Sequence, residues 1–349
     1  MLFFQKNSPE HNLKFADKDT EAKNKDDTKK NANTLKISSP EFKKTLFDSF
    51  FDDEDNVKES KLNAEQLYET HISKEMIQKY GPNFAQSFEK KLVDLPPSHF
   101  FQRHKIKSYM RGQLVNWMLE VFHVFESDEN TFFAAVRILD KFIWKSNDIL
   151  TDETLFQACI ACISIASKLY DYHNIRMKDL VHKVAHDQMS EKLIQKFEKN
   201  ILTTIDFDIV TPGPAEFIQF LLYDLYMNNR EVILKCKLRK IIDIVENCAI
   251  WLAKMCNHYE KYSSVPPNYM AVACLLIGYE MTKDNKKLNS NEKNFFVDYF
   301  EFLFEKIGKQ QTTVKKHIDL VYQNIYKSFT KFKQSGYQNL SKYHQLFFE

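Results

Sequence analysis

The stretch 155–168 reads Leu155-Phe156-Gln157-Ala158-Cys159-Ile160-Ala161-Cys162-Ile163-Ser164-Ile165-Ala166-Ser167-Lys168. Almost every position is apolar or small, so a helix formed by this stretch would lack a polar face. A helix of that kind is surrounded by other helices. Its Ala, Ser and Cys side chains allow those neighbours to pack closely without voids. The stretch therefore predicts the central helix of a helical bundle.

A second stretch of the same character follows at 269–278. When the sequence is aligned with itself at an offset of 112 residues, Ala161-Cys162 aligns with Ala273-Cys274 and Ala166 aligns with Gly278. Self-similarity at this length indicates two copies of one helical domain. The remaining apolar residues recur at steps of three or four, and no run alternates as a strand would. The sequence thus predicts an all-α fold with two related domains.

Composition changes along the chain suggest the domain boundaries. Residues 1–60 are polar and carry charges of both signs, so we expect a disordered N-terminal tail. A helix and connecting loop are expected at 61–103. The cluster Thr211-Pro212-Gly213-Pro214 interrupts the helical pattern and separates a first domain at 104–211 from a second at 212–330. Residues 331–349 are expected to form a C-terminal tail.

Composition also excludes several classes of function. Only 6 of the 349 residues are Gly, and no two lie close together, so no phosphate-binding glycine loop can form. This argues against a kinase, a Walker-type NTPase and a dinucleotide-dependent oxidoreductase, and we expect no cofactor. The formal net charge of +2 is unlike that of a nucleic-acid-binding protein. No apolar run is long enough to span a membrane. Without an export signal, the six Cys residues are expected to be reduced thiols.

The segment Met110–Val121, with the sequence MRGQLVNWMLEV, resembles the M-R-A-I-L-V-D-W-L-x-E-V signature of the cyclin box in A- and B-type cyclins. Further blocks of the family pattern follow in register: Ile138-Leu139-Asp140-Lys141-Phe142-Ile143, Ala166-Ser167-Lys168-Leu169, Phe207-Asp208-Ile209 and Lys261-Tyr262-Ser263-Ser264-Val265-Pro266-Pro267. The resemblance covers roughly residues 64–330.

This resemblance implies two tandem five-helix cyclin boxes, at 104–211 and 212–330, and an additional N-terminal helix that carries Tyr68, Ile72 and Met76. It also implies a function. Cyclins are not enzymes but regulatory subunits of cyclin-dependent Ser/Thr kinases. They hold the αC helix and activation loop of the kinase in the active arrangement and thereby control cell-cycle progression. Members of the mitotic type act in the nucleus and cytoplasm.

By the same resemblance, Lys168 and Glu198 are the charged pair that faces the αC helix of the kinase. The apolar residues expected around the pair are Ile165, Leu169, Leu202, Phe207 and Ile209. For Ile165 in particular, ordinary core packing is an equally good interpretation.

A second surface is implied by the first helix of the box. Its residues match a patch that captures short Arg-x-Leu peptides of substrates or inhibitors: Met110, Leu114, Trp117, Glu120 and Gln157. The acidic residue would hold the Arg of the peptide, and the apolar residues its Leu. Gln113 stands where an aliphatic residue is usual, and a polar side chain there weakens apolar contact.

Arg111 and Asp140 resemble a buried ion pair that joins the first two helices. The pair Cys159-x-x-Cys162 and the pair His182 and His186 have spacings that metal sites use, but no further ligands accompany them, so we expect no metal. Two alternatives to a kinase regulator remain. One is a cyclin-fold transcription factor, which would require a zinc ribbon and basic repeats. The other is a cyclin-like scaffold that binds partners without activating a kinase.

Overall fold

The computed structural model describes residues 94–229, 233, 239–283, 299, 311–332 and 337–343. Every regular element within these residues is a helix, so the all-α prediction is confirmed there. None of the described helices is both long and apolar enough to cross a membrane. The predicted tail 1–60 and the predicted helix containing Tyr68, Ile72 and Met76 lie outside the described residues.

The first half of the described chain forms one helical domain. Its elements in order are α1 Ser108–Val124, α2 Glu129–Lys145, α3 Asp152–Tyr170, α4 Met177–Asp179 with a π-helical turn at Leu180–Val184, and α5 Glu191–Thr204.

Polar side chains define where these helices begin. Asp128 accepts a hydrogen bond from the backbone N–H of Asn130 at the start of α2, 2.8 Å away. At the start of α3, Thr151 and Thr154 cap each other, and Ser190 accepts from the N–H of Leu193 at the start of α5. Each cap satisfies a helical N–H that has no partner within the helix.

The second half repeats the arrangement after a break at 211–214. Its elements are α6 Pro214–Asn228, α7 Arg239–Asn257, a 3₁₀ turn at Glu260–Tyr262, α8 Pro267–Lys283, α9 Gln311–Phe332 and α10 Gln338–Tyr343.

The two helices that lack a polar face lie at the centres of the two halves. Helix α3 packs against α1, α2 and α5, and helix α8 packs against α6, α7 and α9. The α3 residues Ala158, Cys159 and Cys162 are completely buried, as are Ala273 and Cys274 of α8. Gly278 lets α7 approach, since a Cβ there would lie 3.0 Å from the Val245 carbonyl oxygen. The small residues of both stretches therefore serve close helix packing.

Part of the predicted C-terminal tail is a helix that contacts the first domain. Helix α10 packs on α1. Asn339 donates from its side chain to the Asn116 carbonyl at 2.9 Å, and its backbone N–H donates to Asn116 Oδ1 at 3.1 Å. Gly112 lets Tyr337 approach α1 closely, because a Cβ on it would lie 2.0 Å from the Tyr337 hydroxyl oxygen. The segment is short and polar, so its helix had no apolar periodicity to predict it.

A buried charged network joins the two halves. Arg111 donates to both Asp140 oxygens at 2.7 Å, and both side chains are almost fully buried. The same guanidinium donates to the Asn257 carbonyl at 2.6 Å, and the Ser263 hydroxyl donates to Asp140 at 2.7 Å. A further ion pair joins Lys254 of α7 to Glu129 of α2. The predicted pair of α1 and α2 thus also anchors the second half.

His258 lies at this junction in a wholly buried environment. Its Nδ1 donates to the Lys254 carbonyl at 2.9 Å, while its Nε2 has no hydrogen-bond partner within the described residues. The ring packs against Phe332 and Tyr337. Burial, with a smaller contribution from the nearby Arg111 charge, lowers the pKa of His258 from 6.5 to about 4. The imidazole is therefore neutral in the folded protein near neutral pH.

Replacing Asp140 with Ala should lower the free energy of unfolding by about 3–5 kcal/mol, because Arg111 would remain buried without its counter-charge. Urea denaturation monitored by circular dichroism measures this change. The control is Asp152→Ala, at an exposed position in the first turn of α3, which should cost less than about 1 kcal/mol. Equal stability of Asp140→Ala and wild type would contradict the structural role of the pair.

Acid should destabilise the protein through His258. Because its pKa is lowered in the folded state, the unfolded chain takes up the proton first as pH falls. The stability contributed by neutral His258 is complete above about pH 6.5 and is lost between about pH 6.5 and 4, amounting to about 2 kcal/mol by pH 5. Denaturation curves across this range should show a smaller slope with pH for His258→Phe than for wild type. The exposed control His173→Gln should keep the wild-type slope.

Candidate functional site

The predicted charged pair is formed by two neighbouring helices. Lys168 lies in the last turn of α3, and Glu198 lies on α5, which packs against α3. Lys168 Nζ is 2.5 Å from Glu198 Oε1, and the side chains are 44% and 13% exposed. A cation at the end of α3 is also stabilised by the negative end of the helix dipole. The pair is thus preformed, and the ammonium group remains accessible to solvent.

The end of α3 beside this pair is fixed by Asp171. One carboxylate oxygen accepts from the Asp128 N–H at 2.9 Å and from the Thr131 hydroxyl at 2.5 Å, and the other accepts from the Ser167 hydroxyl at 2.6 Å. Ser167 in turn accepts from the Ile175 N–H. These bonds tie the C-terminus of α3 to the start of α2. They hold the backbone that carries Lys168, a positioning role that the sequence analysis missed.

Several large apolar side chains that are near the pair in sequence are exposed to solvent. Leu169, which follows Lys168, is 37% exposed, and Phe207 and Val210, which follow α5, are 64% and 52% exposed. Leu202 and Ile209 are half-buried, with one side against the core. Exposed apolar groups of this size are typical of protein–protein contact surfaces. Val210 was not among the predicted residues, because an isolated Val before a Thr-Pro turn has no distinguishing pattern.

Ile165 differs from the other predicted apolar residues. It is only 6% exposed and belongs to the core around α3. It lies one helical turn before Leu169. Its side chain therefore offers almost no surface to a partner, and packing within the domain accounts for it.

The backbone after α5 has an unusual conformation that presents Phe207. Asp206 and Phe207 have φ angles of 54° and 57°, a region that bulky residues rarely adopt. The conformation is held by the Phe207 N–H, which donates to the Leu202 carbonyl at 2.8 Å, and by an ion pair between Asp208 and Lys141 at 2.5 Å. Such strained residues are concentrated at binding and catalytic sites. The turn keeps the Phe207 ring outside the core.

The predicted peptide-docking residues lie on α1 and the first turns of α3. Met110, Trp117 and Gln157 are half-buried, whereas Leu114 is only 4% exposed. The Trp117 ring packs on Phe156, with 5.4 Å between the ring centroids. Phe156 is therefore part of this surface although it was not predicted. Leu114 forms the floor of the surface and contributes mainly to the core.

Glu120, the predicted acidic residue of this surface, already has a neighbour within the chain. Its Oε2 accepts from Asn339 Nδ2 at 3.3 Å, so α10 borders the surface on this side. At this distance the hydrogen bond is weak, and the second carboxylate oxygen stays available.

The Cys and His pairs whose sequence spacing resembles that of metal ligands have other environments in the structure. Cys159 and Cys162 are completely buried, and burial raises the pKa of both thiols well above its ordinary value. His182 pairs with Asp187, 2.6 Å from Nδ1 to Oδ1. No group of three His, Cys, Asp or Glu residues in the described part of the chain is placed to hold a metal ion.

The comparison with known proteins agrees with this architecture. Residues 83–210 match the family described as cyclin, N-terminal domain. S-phase entry cyclin-6 of Saccharomyces cerevisiae is 24% identical over 246 residues, covering 66% of this chain and 60% of the yeast protein. G2/mitotic-specific cyclin-B of Emericella nidulans is 30% identical over 132 residues, covering 38% and 27%. The matches therefore span less than two thirds of the length of these relatives.

The fold has a counterpart among solved structures. A viral cyclin from herpesvirus saimiri superposes with a TM-score of 0.50 at 16% identity, covering 71% of this chain and 99% of the viral protein. The matched family, the relatives and this structural likeness agree with the helical halves described above. Residues 83–210 thus match the N-terminal domain of the cyclin family, and the chain is similar in sequence to B-type cyclins.

Proposed function

We propose that this chain is a regulatory subunit that binds a cyclin-dependent Ser/Thr kinase and activates it by positioning the αC helix and activation loop of the kinase. The observation that carries the proposal is the preformed Lys168–Glu198 pair beside exposed Leu169 and Phe207. The protein itself would carry out no catalysis. It would control cell-cycle progression in the nucleus and cytoplasm.

The Lys168–Glu198 pair can bind a helix or loop of the kinase through backbone N–H and carbonyl groups. A Lys ammonium has three N–H donors, and Glu198 accepts only one of them in the observed pair. The others can donate to carbonyl oxygens of the kinase. The second oxygen of Glu198 can accept from a backbone N–H. Because both side chains are already positioned, little conformational entropy is lost on binding.

The exposed apolar residues would add to the free energy of binding a kinase. Fully burying side chains such as Leu and Phe contributes about 1.5–3 kcal/mol each. In the free protein these groups are exposed, so their surface is available for burial against a kinase. The kinase would populate its active arrangement because that arrangement makes the better contact with this surface.

The pair should matter far more for binding than for folding. An ion pair with a 44% exposed lysine contributes about 0–1 kcal/mol to stability. At an interface the same groups lose water, and removing one leaves the other buried without a partner. Stability and kinase activation should therefore respond very differently to substitution at these positions.

The double variant Lys168→Ala/Glu198→Ala should bind a cyclin-dependent kinase at least ten-fold more weakly than wild type, because a desolvated charged contact is worth about 2 kcal/mol or more. The measurements are the affinity for purified candidate kinases and phosphorylation of a Ser/Thr-Pro substrate. Thermal unfolding of the free variant should differ little from wild type.

The matched control is Lys183→Ala, which breaks another exposed pair in the same half, with Asp179 at 2.8 Å. It should leave kinase activation unchanged. A stable wild-type complex without any gain in kinase activity would favour a scaffold that binds without activating. Equal activation by wild type and the double variant would contradict the proposed surface.

The surface around Trp117 suits a second part of this function, the docking of Arg-x-Leu peptides from substrates or inhibitors. Half-exposed Met110, Trp117 and Gln157 surround a buried Leu114 floor, and Glu120 offers a free oxygen to an Arg. Gln113, also half-buried on this helix, reduces the apolar area.

A labelled Arg-x-Leu peptide should bind the wild-type chain, and Trp117→Ala should weaken it by at least ten-fold, since truncating a central aromatic contact typically costs about 2 kcal/mol. Fluorescence anisotropy measures this binding. The control Tyr172→Ala removes a 95% exposed ring from another part of the domain and should have no effect. Failure of the wild-type chain to bind the peptide would exclude docking without affecting the proposal on the kinase.

A further inference from the structure

A pocket lies between the two halves of the molecule. Its cavity volume is about 30 Å³, and the pocket is partly open to solvent. Its walls come from α2, from the first residues of α6 and α8, and from the turn that precedes α8. Apolar side chains dominate the lining, among them Pro96, Phe133, Pro214, Pro267 and Met270.

The positively charged side chain in the wall of this pocket is Arg137 of α2. Among the residues that the structure describes, none forms a hydrogen bond or an ion pair with its guanidinium, although burial is deep enough to lower the pKa of Arg137. A guanidinium has five N–H donors and no acceptor. The side chain is partly buried, so its charge is only partly withdrawn from water. A ligand that accepted these donors would replace the water that burial removes.

The acidic groups around Arg137 are engaged elsewhere. Asp140 accepts two hydrogen bonds from Arg111 and one from Ser263. Asp208 is paired with Lys141 at 2.5 Å. Glu216 accepts from the Gly213 N–H at 2.7 Å, and burial raises the pKa of its carboxyl group. These carboxylates attract Arg137 at a distance but leave its N–H groups without acceptors.

The Asp140 carboxylate lines the pocket, but two other features of the wall favour a negative group. Helices α6 and α8 both begin at its wall, with Pro214 and Pro267 as their first residues. The positive ends of these helix dipoles therefore lie close to it. Apolar walls lower the local dielectric constant and strengthen a contact between Arg137 and an anion. The forked guanidinium matches the geometry of carboxylate and phosphate oxygens.

We propose that this pocket binds the oxyanion group, phosphate or carboxylate, of a small ligand through the guanidinium of Arg137. Its described lining includes none of the residues named for the kinase-binding and peptide-docking surfaces. Its position between α2, α6 and α8 means that an occupied pocket would join the two halves in addition to the Arg111–Asp140 network. Occupancy should therefore stabilise the folded chain.

The test measures thermal unfolding of the full chain in increasing sodium phosphate, in sodium acetate and in sodium chloride, all at equal ionic strength. Phosphate or acetate should raise the wild-type midpoint by about 2 °C at five times the dissociation constant, whereas chloride should not. The phosphate and acetate series distinguish a tetrahedral from a planar ligand. Arg137→Gln should abolish the rise in the unfolding midpoint. Arg137→Lys keeps the positive charge but lacks the forked guanidinium, so it should retain part of that rise.

The control Arg176→Gln removes an arginine that immediately precedes α4 and whose side chain is 80% exposed, and it should preserve the wild-type response. Since Arg137 has no partner in the described structure, Arg137→Gln without added anion should be at least as stable as wild type. A strong loss of stability in that variant would show that the arginine is a structural group and would overturn the proposal. An equal rise in wild type and Arg137→Gln, or no rise in wild type, would overturn it as well.

Discussion

The bidentate contact of Arg111 with Asp140 is the interaction on which the described structure depends. It joins α1 to α2, and its remaining hydrogen bonds reach the Asn257 carbonyl and the Ser263 hydroxyl of the second half. Two buried charges are stabilising only when their hydrogen bonds are satisfied, and here nearly all are. One pair therefore determines both the packing of the first domain and the way in which the second domain meets it.

The proposed kinase-binding surface follows a different principle. Its central pair is exposed, and its apolar residues are left outside the core, so it contributes little to folding. The core beneath it supplies rigidity: α3 is fully buried along one side, and Asp171 fixes its C-terminus. A surface held in this way can change in residue type, and so in partner, while the framework is retained. The strained turn at Asp206 and Phe207 stores conformational energy at the same surface.

At the junction between the halves, two side chains keep hydrogen-bonding groups without partners in the described structure. His258 is held neutral in the interior, and Arg137 has donors without acceptors. Both lie where the two domains meet, because there neither core alone can supply polar partners. Such junctions are common locations of ligand sites.

Much of the fold followed from the sequence. The stretch 155–168 and its counterpart at 269–278 predicted the two central helices, because side chains without a polar face can only be accommodated inside a bundle. The start of α5 at Glu191 also has a local cause, since the Ser190 side chain caps the helix. Lys168 and Glu198 could be named from the family resemblance, which places particular residue types at particular positions.

Contacts between residues far apart in sequence were decided only by the tertiary structure. Asn339 meets Asn116 and Glu120, Tyr337 lies against Gly112, and Lys254 pairs with Glu129, and none of these contacts has a local pattern. The burial of Ile165 and Leu114 likewise depends on which neighbouring helix covers them. Periodicity records the polarity of a helix face, and therefore the sequence determined the helices and their buried sides. It carries no information on which groups from separate helices meet, and that depends on how the packed helices cross.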